Sequence, residues 1–254
     1  MNTVINETTA PAAATAAMTA PATSPGPRME LYTGIHKALR CAMADTLLRL
    51  GRMDVADDGE RTLVLGQLDE LLGLLRSHLE HENDFLHTAI EARRPGGARQ
   101  TADEHLGHLD ALCNLEDEAR ALRTAGVAQR DALALRLYRH FAHFVAENLL
   151  HMQVEESANQ ALLWQLYGDA ELAEIHGRLV ASIPPAEMAR IARWMAQALT
   201  PQELIGLFKG MQAEAPPEVV RGLLDVARPH MSLVRWAKLA RGLGLAPVPG
   251  LVMV

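Results

Sequence analysis

Residues 68–89 read LDELLGLLRSHLEHENDFLHTA. Within them Leu68, Leu71, Leu75, His78, Glu82, Phe85 and Ala89 recur at steps of three and four, the spacing of one helix face. The stripe is apolar up to Leu75, becomes His-x-x-x-Glu for one turn, and is apolar again. Residues 137–162 repeat the pattern as Leu137, Phe141, Phe144, Asn148, His151, Glu155, Ala158 and Leu162. A spacing of four stacks each histidine on its glutamate. A carboxylate alone on a dry seam is costly or takes up a proton. Two such His/Glu sets facing each other remove that cost if they share a metal.

Working outward, the spacing predicts four long helices over 30–51, 60–92, 101–124 and 129–167. Pro95-Gly96-Gly97 halts the second and Gly168 the fourth, while Thr101 and Glu104 read as a capping box for the third. Four helices with short connections predict an all-α fold, an antiparallel up-down bundle over 29–168. Residues 1–28 are rich in Ala, Thr and Pro and read as a disordered tail. Beyond 168, Pro184-Pro185, Thr200-Pro201, Pro216-Pro217 and Arg228-Pro229 mark the starts of short helices, because proline is favoured in a first turn. Residues 169–254 are therefore expected to form a helical extension. No period-2 run suggests a sheet.

The first and third helices each add one histidine to a comparable stripe: His36 in line with Met43, Leu47 and Leu50, and His105 in line with Leu109 and Leu112. The candidate metal ligands are then His36, His78, Glu82, His105, His151 and Glu155. Four imidazoles and two carboxylates suffice for two ions bridged by the glutamates, with positions left open for small ligands. Mixed nitrogen and oxygen donors suit iron, manganese or zinc better than calcium or magnesium. Counting back from the turns near Ala56 and Val127 brings these residues to one level within about one helical turn. The Pro95 turn fits worse, so either the second helix ends early or this loop folds back.

Composition narrows the alternatives. The 254 residues carry 24 Lys+Arg against 31 Asp+Glu, a net charge of −7, which argues against nucleic acid as a partner. No apolar run approaches the ~20 residues that span a bilayer. Two cysteines, Cys41 and Cys113, form no disulfide framework, and a reducing, cytoplasmic location is expected. Nucleotide-binding and nucleophile-elbow motifs are absent. His81-Glu82 lacks the second histidine of a zinc protease, and the Glu-x-x-His pair of ferritin-like enzymes does not occur.

Six candidate ligands in this order resemble the hemerythrin-like (HHE cation-binding) family over roughly residues 36–167. The resemblance rests on His36, on His78-Leu79-Glu80-His81-Glu82, on His105 and on His151-Met152-Gln153-Val154-Glu155-Glu156, with HENDFLHTAIEARRPG at 81–96 also similar to bacterial members. It implies a non-haem centre of two iron ions, with Mn or Zn as alternatives. Glu82 and Glu155 would bridge the ions, and the centre would bind or sense O2, NO or peroxide. Oxygen-carrying members have a second histidine where this chain has Leu109, and an Asp five residues after the fourth-helix histidine, where Glu155 follows His151 by four. The chain therefore resembles the four-His, two-Glu subtype, linked to iron and redox sensing, nitric-oxide responses and iron-centre repair. The alternatives are a di-iron oxidoreductase or repair enzyme, or an interaction protein with a structural metal and a protein partner held through 169–254.

The remaining histidines carry lesser expectations. His108, one turn from His105, is an alternative ligand. His143 and Glu147 repeat the spacing but lie about 80° around the helix from His151. His140 sits about 16 Å along the helix from His151. His81, Glu80 and Glu156 flank the ligands and either orient them or face solvent. His87, His176 and His230 are read as ordinary, and Trp164, Trp194 and Trp236 as core anchors.

Overall fold

A computed structural model describes residues 28–245, and among these residues all regular structure is helical. Four long helices come first: α1 (Thr33–Arg52), α2 (58–93), α3 (Arg99–Thr124) and α4 (127–166). Five shorter ones follow: α5 (Asp169–Ser182), α6 (Pro185–Ala198), α7 (Pro201–Glu214), α8 (Pro217–Ala227) and α9 (Leu233–Gly242). Helix α2 runs through a π turn at Glu82–His87, and α4 through another at Glu155–Asn159. None of these helices is long and apolar enough to cross a membrane. The expected disordered tail lies outside the described residues except for Arg28, whose guanidinium donates to the Trp164 and Tyr167 carbonyls and to Asp169.

The long helices pack in cyclic order, α1 and α3 each against both α2 and α4. Leu39, Met43, Leu65, Leu68, Leu72, Leu112, Leu122, Leu137 and Phe141 are fully buried between them. Each side chain of this size contributes roughly 1.5–3 kcal/mol when removed from water. From the two π turns onward, Leu86, Ile90 and Leu163 form a second cluster with Leu31 and Tyr32 from the chain entering α1.

Local signals explain most helix ends. The Asp57 carboxylate accepts from the Gly59 and Glu60 amides, and α6, α7 and α8 open on Pro185, Pro201 and Pro217 as expected. The Thr200–Glu203 capping box forms. The one expected at Thr101 and Glu104 does not, because α3 starts two residues earlier; the Thr101 hydroxyl instead donates to the Ala98 carbonyl. The second helix does not end early. The loop after it folds back, through Gly96 at φ 80° and Gly97, where a Cβ would lie 2.7 Å from Ile90 and 2.9 Å from Leu162. The end of α2 thus overshoots α3 and packs on the end of α4 and on α5.

The helices after residue 168 lie against the long ones. Helix α6 packs along α1 and places Ile191 and Trp194 in the main core. Helix α8 packs on α6 and α9 on α7, around Leu204, Phe208, Leu224 and Leu239. Lys37 of α1 pairs with Glu203, and the Ser77 hydroxyl of α2 donates to Glu187 at 2.6 Å.

Candidate metal centre

The helix periods that carry the His and Glu residues change phase in the middle of the molecule. A π turn spends one extra residue, so after Glu82 the buried stripe moves from the expected Phe85 and Ala89 to Leu86 and Ile90. Ala89 itself stays buried. After Glu155 it moves from Ala158 and Leu162 to Asn159 and Leu163. Both phase changes begin at a glutamate of the predicted centre.

All six predicted residues meet there. His36, His78, Glu82 and Glu155 offer donor atoms within 4.8 Å of one another, and so do Glu82, His105, His151 and Glu155. The two sets share both carboxylates, and all six side chains are at most 9% exposed. His36 Nε2 lies 3.4 Å from Glu82 Oε1 and 3.5 Å from Glu155 Oε2, and His78 Nε2 lies 3.3 Å from Glu82 Oε1. In the other set His105 Nε2 is 3.6 Å from Glu82 Oε2 and 3.5 Å from Glu155 Oε1, and His151 Nε2 is 3.3 Å from Glu155 Oε2. Donors that share one cation at about 2.1 Å stand about 3.0–3.5 Å apart, and the contacts here, at 3.3–3.6 Å, lie at the upper edge of that range.

The hydrogen bonds around the centre orient three of the rings. His36 Nδ1 donates to Glu156 at 3.1 Å, His105 Nδ1 to Asn83 Oδ1 at 2.8 Å and His151 Nδ1 to Glu104 at 2.7 Å. With the proton on Nδ1, a neutral ring turns the Nε2 lone pair inward, the arrangement that metal-binding histidines adopt. His105 Nε2 and His151 Nε2 then face each other at 3.0 Å, an opposition that only a proton or a cation between them relieves. Among the described residues, no carboxylate oxygen of Glu82 or Glu155 has a hydrogen-bond partner, nor has His36 Nε2. Buried polar atoms left this way are costly. These buried groups could hold a metal ion.

Without a cation the centre must store protons. Burial, with the Glu155 carboxylate beside it, pushes Glu82 upward. Burial pulls His36 down, but its bond to Glu156 and the nearby Glu82 outweigh that and raise it to about 9. Burial likewise raises the Tyr32 phenol, whose ring lies 5.3 Å from that of His36.

No protein-family model, curated protein or solved structure matches this chain. The case for a metal therefore rests on the donor set itself. His87, read as ordinary, lies against that set but outside both groups of donors. The π turn swings His87 onto the face of Glu82, where its ring stacks on His105 at 4.8 Å between centroids and its Nε2 lies 3.9 Å from Glu155. Asn83 accepts from both His87 and His105, and Thr101 and Asn159 extend the chain of contacts. Burial and the neighbouring His105 hold His87 down at about 4, a neutral ring. No 3.6-residue pattern reports this residue; only the five-residue step from Glu82 to His87 could have.

The other candidates sort themselves by position. His108 sits edge-on to His151 and Phe144, outside both donor sets, and His105 is the third-helix histidine within them. Glu156 is one of the orienting groups and also takes Arg40. His81 hydrogen-bonds Ser77, and Glu80 is exposed. His143 and Glu147 pair with each other in solvent, and His140 pairs with Glu118.

Proposed function

We propose that the chain is a hemerythrin-like protein: an antiparallel four-helix bundle holding two non-haem iron ions bridged by Glu82 and Glu155, with manganese or zinc as the alternative metals. One ion would take His36 and His78, the other His105 and His151. The observation that carries this reading is the shared pair of buried carboxylates with four unpartnered oxygens, flanked on each side by two imidazoles. Such a centre, when loaded, supplies a redox-active Lewis acid with positions free for O2, NO or peroxide. The protein's own part is to aim the nitrogens through Glu156, Asn83 and Glu104, and to exclude bulk water with the rings of His87, His108 and Tyr32. A cytoplasmic sensor or carrier of such small ligands fits this arrangement, in which binding rather than turnover is the task.

Metal analysis and an ultraviolet-visible spectrum of protein purified without added metal test the reading. About two irons per chain, with the absorption of a bridged pair that changes on adding O2 or NO, are expected. Protein that is iron-free and refuses iron on reconstitution overturns it.

A further inference from the structure

A cavity of about 780 Å³ lies between α1 and α2 on one side and α5, α6 and α7 on the other. That is within the ~300–1,000 Å³ of pockets that enclose drug-sized organic molecules. Its walls are mostly apolar, among them Leu74, Val180, Met188, Met195 and Phe208, and His78 and Glu82 of the metal centre form part of its lining. Three exposed glycines stand on its rim. Gly206 and Gly210, one turn apart on α7, line it together with Gly177 of α5, and a Cβ at any of the three would meet nothing within 4 Å.

The charged groups on its wall are all of one kind. Glu30, Glu82, Glu187, Glu203 and Glu214 line the cavity, and among the described residues no Lys or Arg does. Lys37 neutralises Glu203 from outside the lining. Glu187 differs from the rest: it is 8% exposed, accepts a hydrogen bond from Ser77, and among the described residues has no ion-pair partner. A carboxylate with little water around it interacts strongly with a positive group brought beside it.

We propose that this cavity binds a lipophilic amine, its apolar body against the Leu and Met walls and its ammonium group at Glu187, with Glu30 and Glu214 favouring entry of a cation. The inference goes beyond the metal-centre reading and does not depend on it. Decylamine, decanol and decanoate titrated calorimetrically into the full chain, metal-loaded and metal-stripped, share one tail and differ in head charge. Decylamine is expected to bind about tenfold or more tightly than decanol, a difference of one decade in Kd, and decanoate least of all. Glu187→Gln should bring the amine and the alcohol together. Gly206→Leu with Gly210→Leu fills the space from a position where the Cβ meets no atom, and should weaken amine binding while the melting curve stays cooperative. Tightest binding by decanoate, equal binding by all three probes, no binding by any, or an amine affinity untouched by Glu187→Gln overturns the proposal. Metal content is read on the same samples, so amine binding lost with metal retained refutes this inference alone, and metal absent with amine binding intact refutes only the metal reading.

Discussion

The two halves of the centre share their carboxylates but not their surroundings. On the His105/His151 side, both Nδ1 atoms are tied down, to Asn83 and Glu104, and the rings of His87 and His108 close over the pair. On the His36/His78 side, Glu156 anchors His36, while His78 lines the cavity under α5, α6 and α7. One half is closed over by neighbouring rings and the other borders a cavity. The difference teaches that the six donors of a symmetric-looking motif are not equivalent. What separates them is the layer of side chains behind each ring, and that layer comes from elements distant in the chain.

The largest effect should come from what the halves share. Glu82→Ala or Glu155→Ala is expected to abolish binding of both ions, read as metal per chain by elemental analysis after desalting. Loss of only one equivalent would mean that the carboxylates serve separate sites. Next, His78→Ala and His105→Ala should each remove about one equivalent and leave the other, as expected when all four protein donors remain for the second ion. If either variant empties both positions, the halves load only together.

The outer contacts sharpen the contrast further. Glu104→Gln should weaken metal binding by about 10–100-fold, the usual cost of losing a group that orients a ligand histidine. A competitive chelator titration would read it, and the same change at Glu156 tests the more open side. An affinity unaltered by Glu104→Gln would show that the His151 ring is held by packing alone. The smallest effect is expected at His143, whose partner Glu147 is four residues on, as in the centre. The pair is exposed, so His143→Ala should change stability by less than about 0.5 kcal/mol in thermal melts and leave the metal content as it was.

The legible part of the molecule is the part that obeys one helical period. His78 with Glu82, and His151 with Glu155, were visible because four residues return a side chain to the same face. His36 and His105 followed from the stripes they share with Met43 and Leu112. The Pro and Gly punctuation located most helix boundaries. What escaped was local irregularity and remote contact. The π turns shift the phase after Glu82 and Glu155, so Phe85 and Ala158 were expected inward where Leu86 and Asn159 are buried. Thr101 looked like a cap and is instead a buried contact of His87. Glu104, expected to close that cap, holds His151 across the helix interface.

By itself the sequence determined that the chain is helical and that four histidines and two glutamates lie on inward stripes at one level, because helical periodicity is a property of nearest neighbours along the chain. The tertiary structure alone decided which Nδ1 meets which acceptor, that His87 stacks on the centre, and that the last helices fold over α1 to enclose a cavity lined by His78 and Glu82. Those outcomes depend on side chains 120 residues apart, as His36 and Glu156 are, or 166, as Lys37 and Glu203 are, and no spacing along the chain encodes such a meeting.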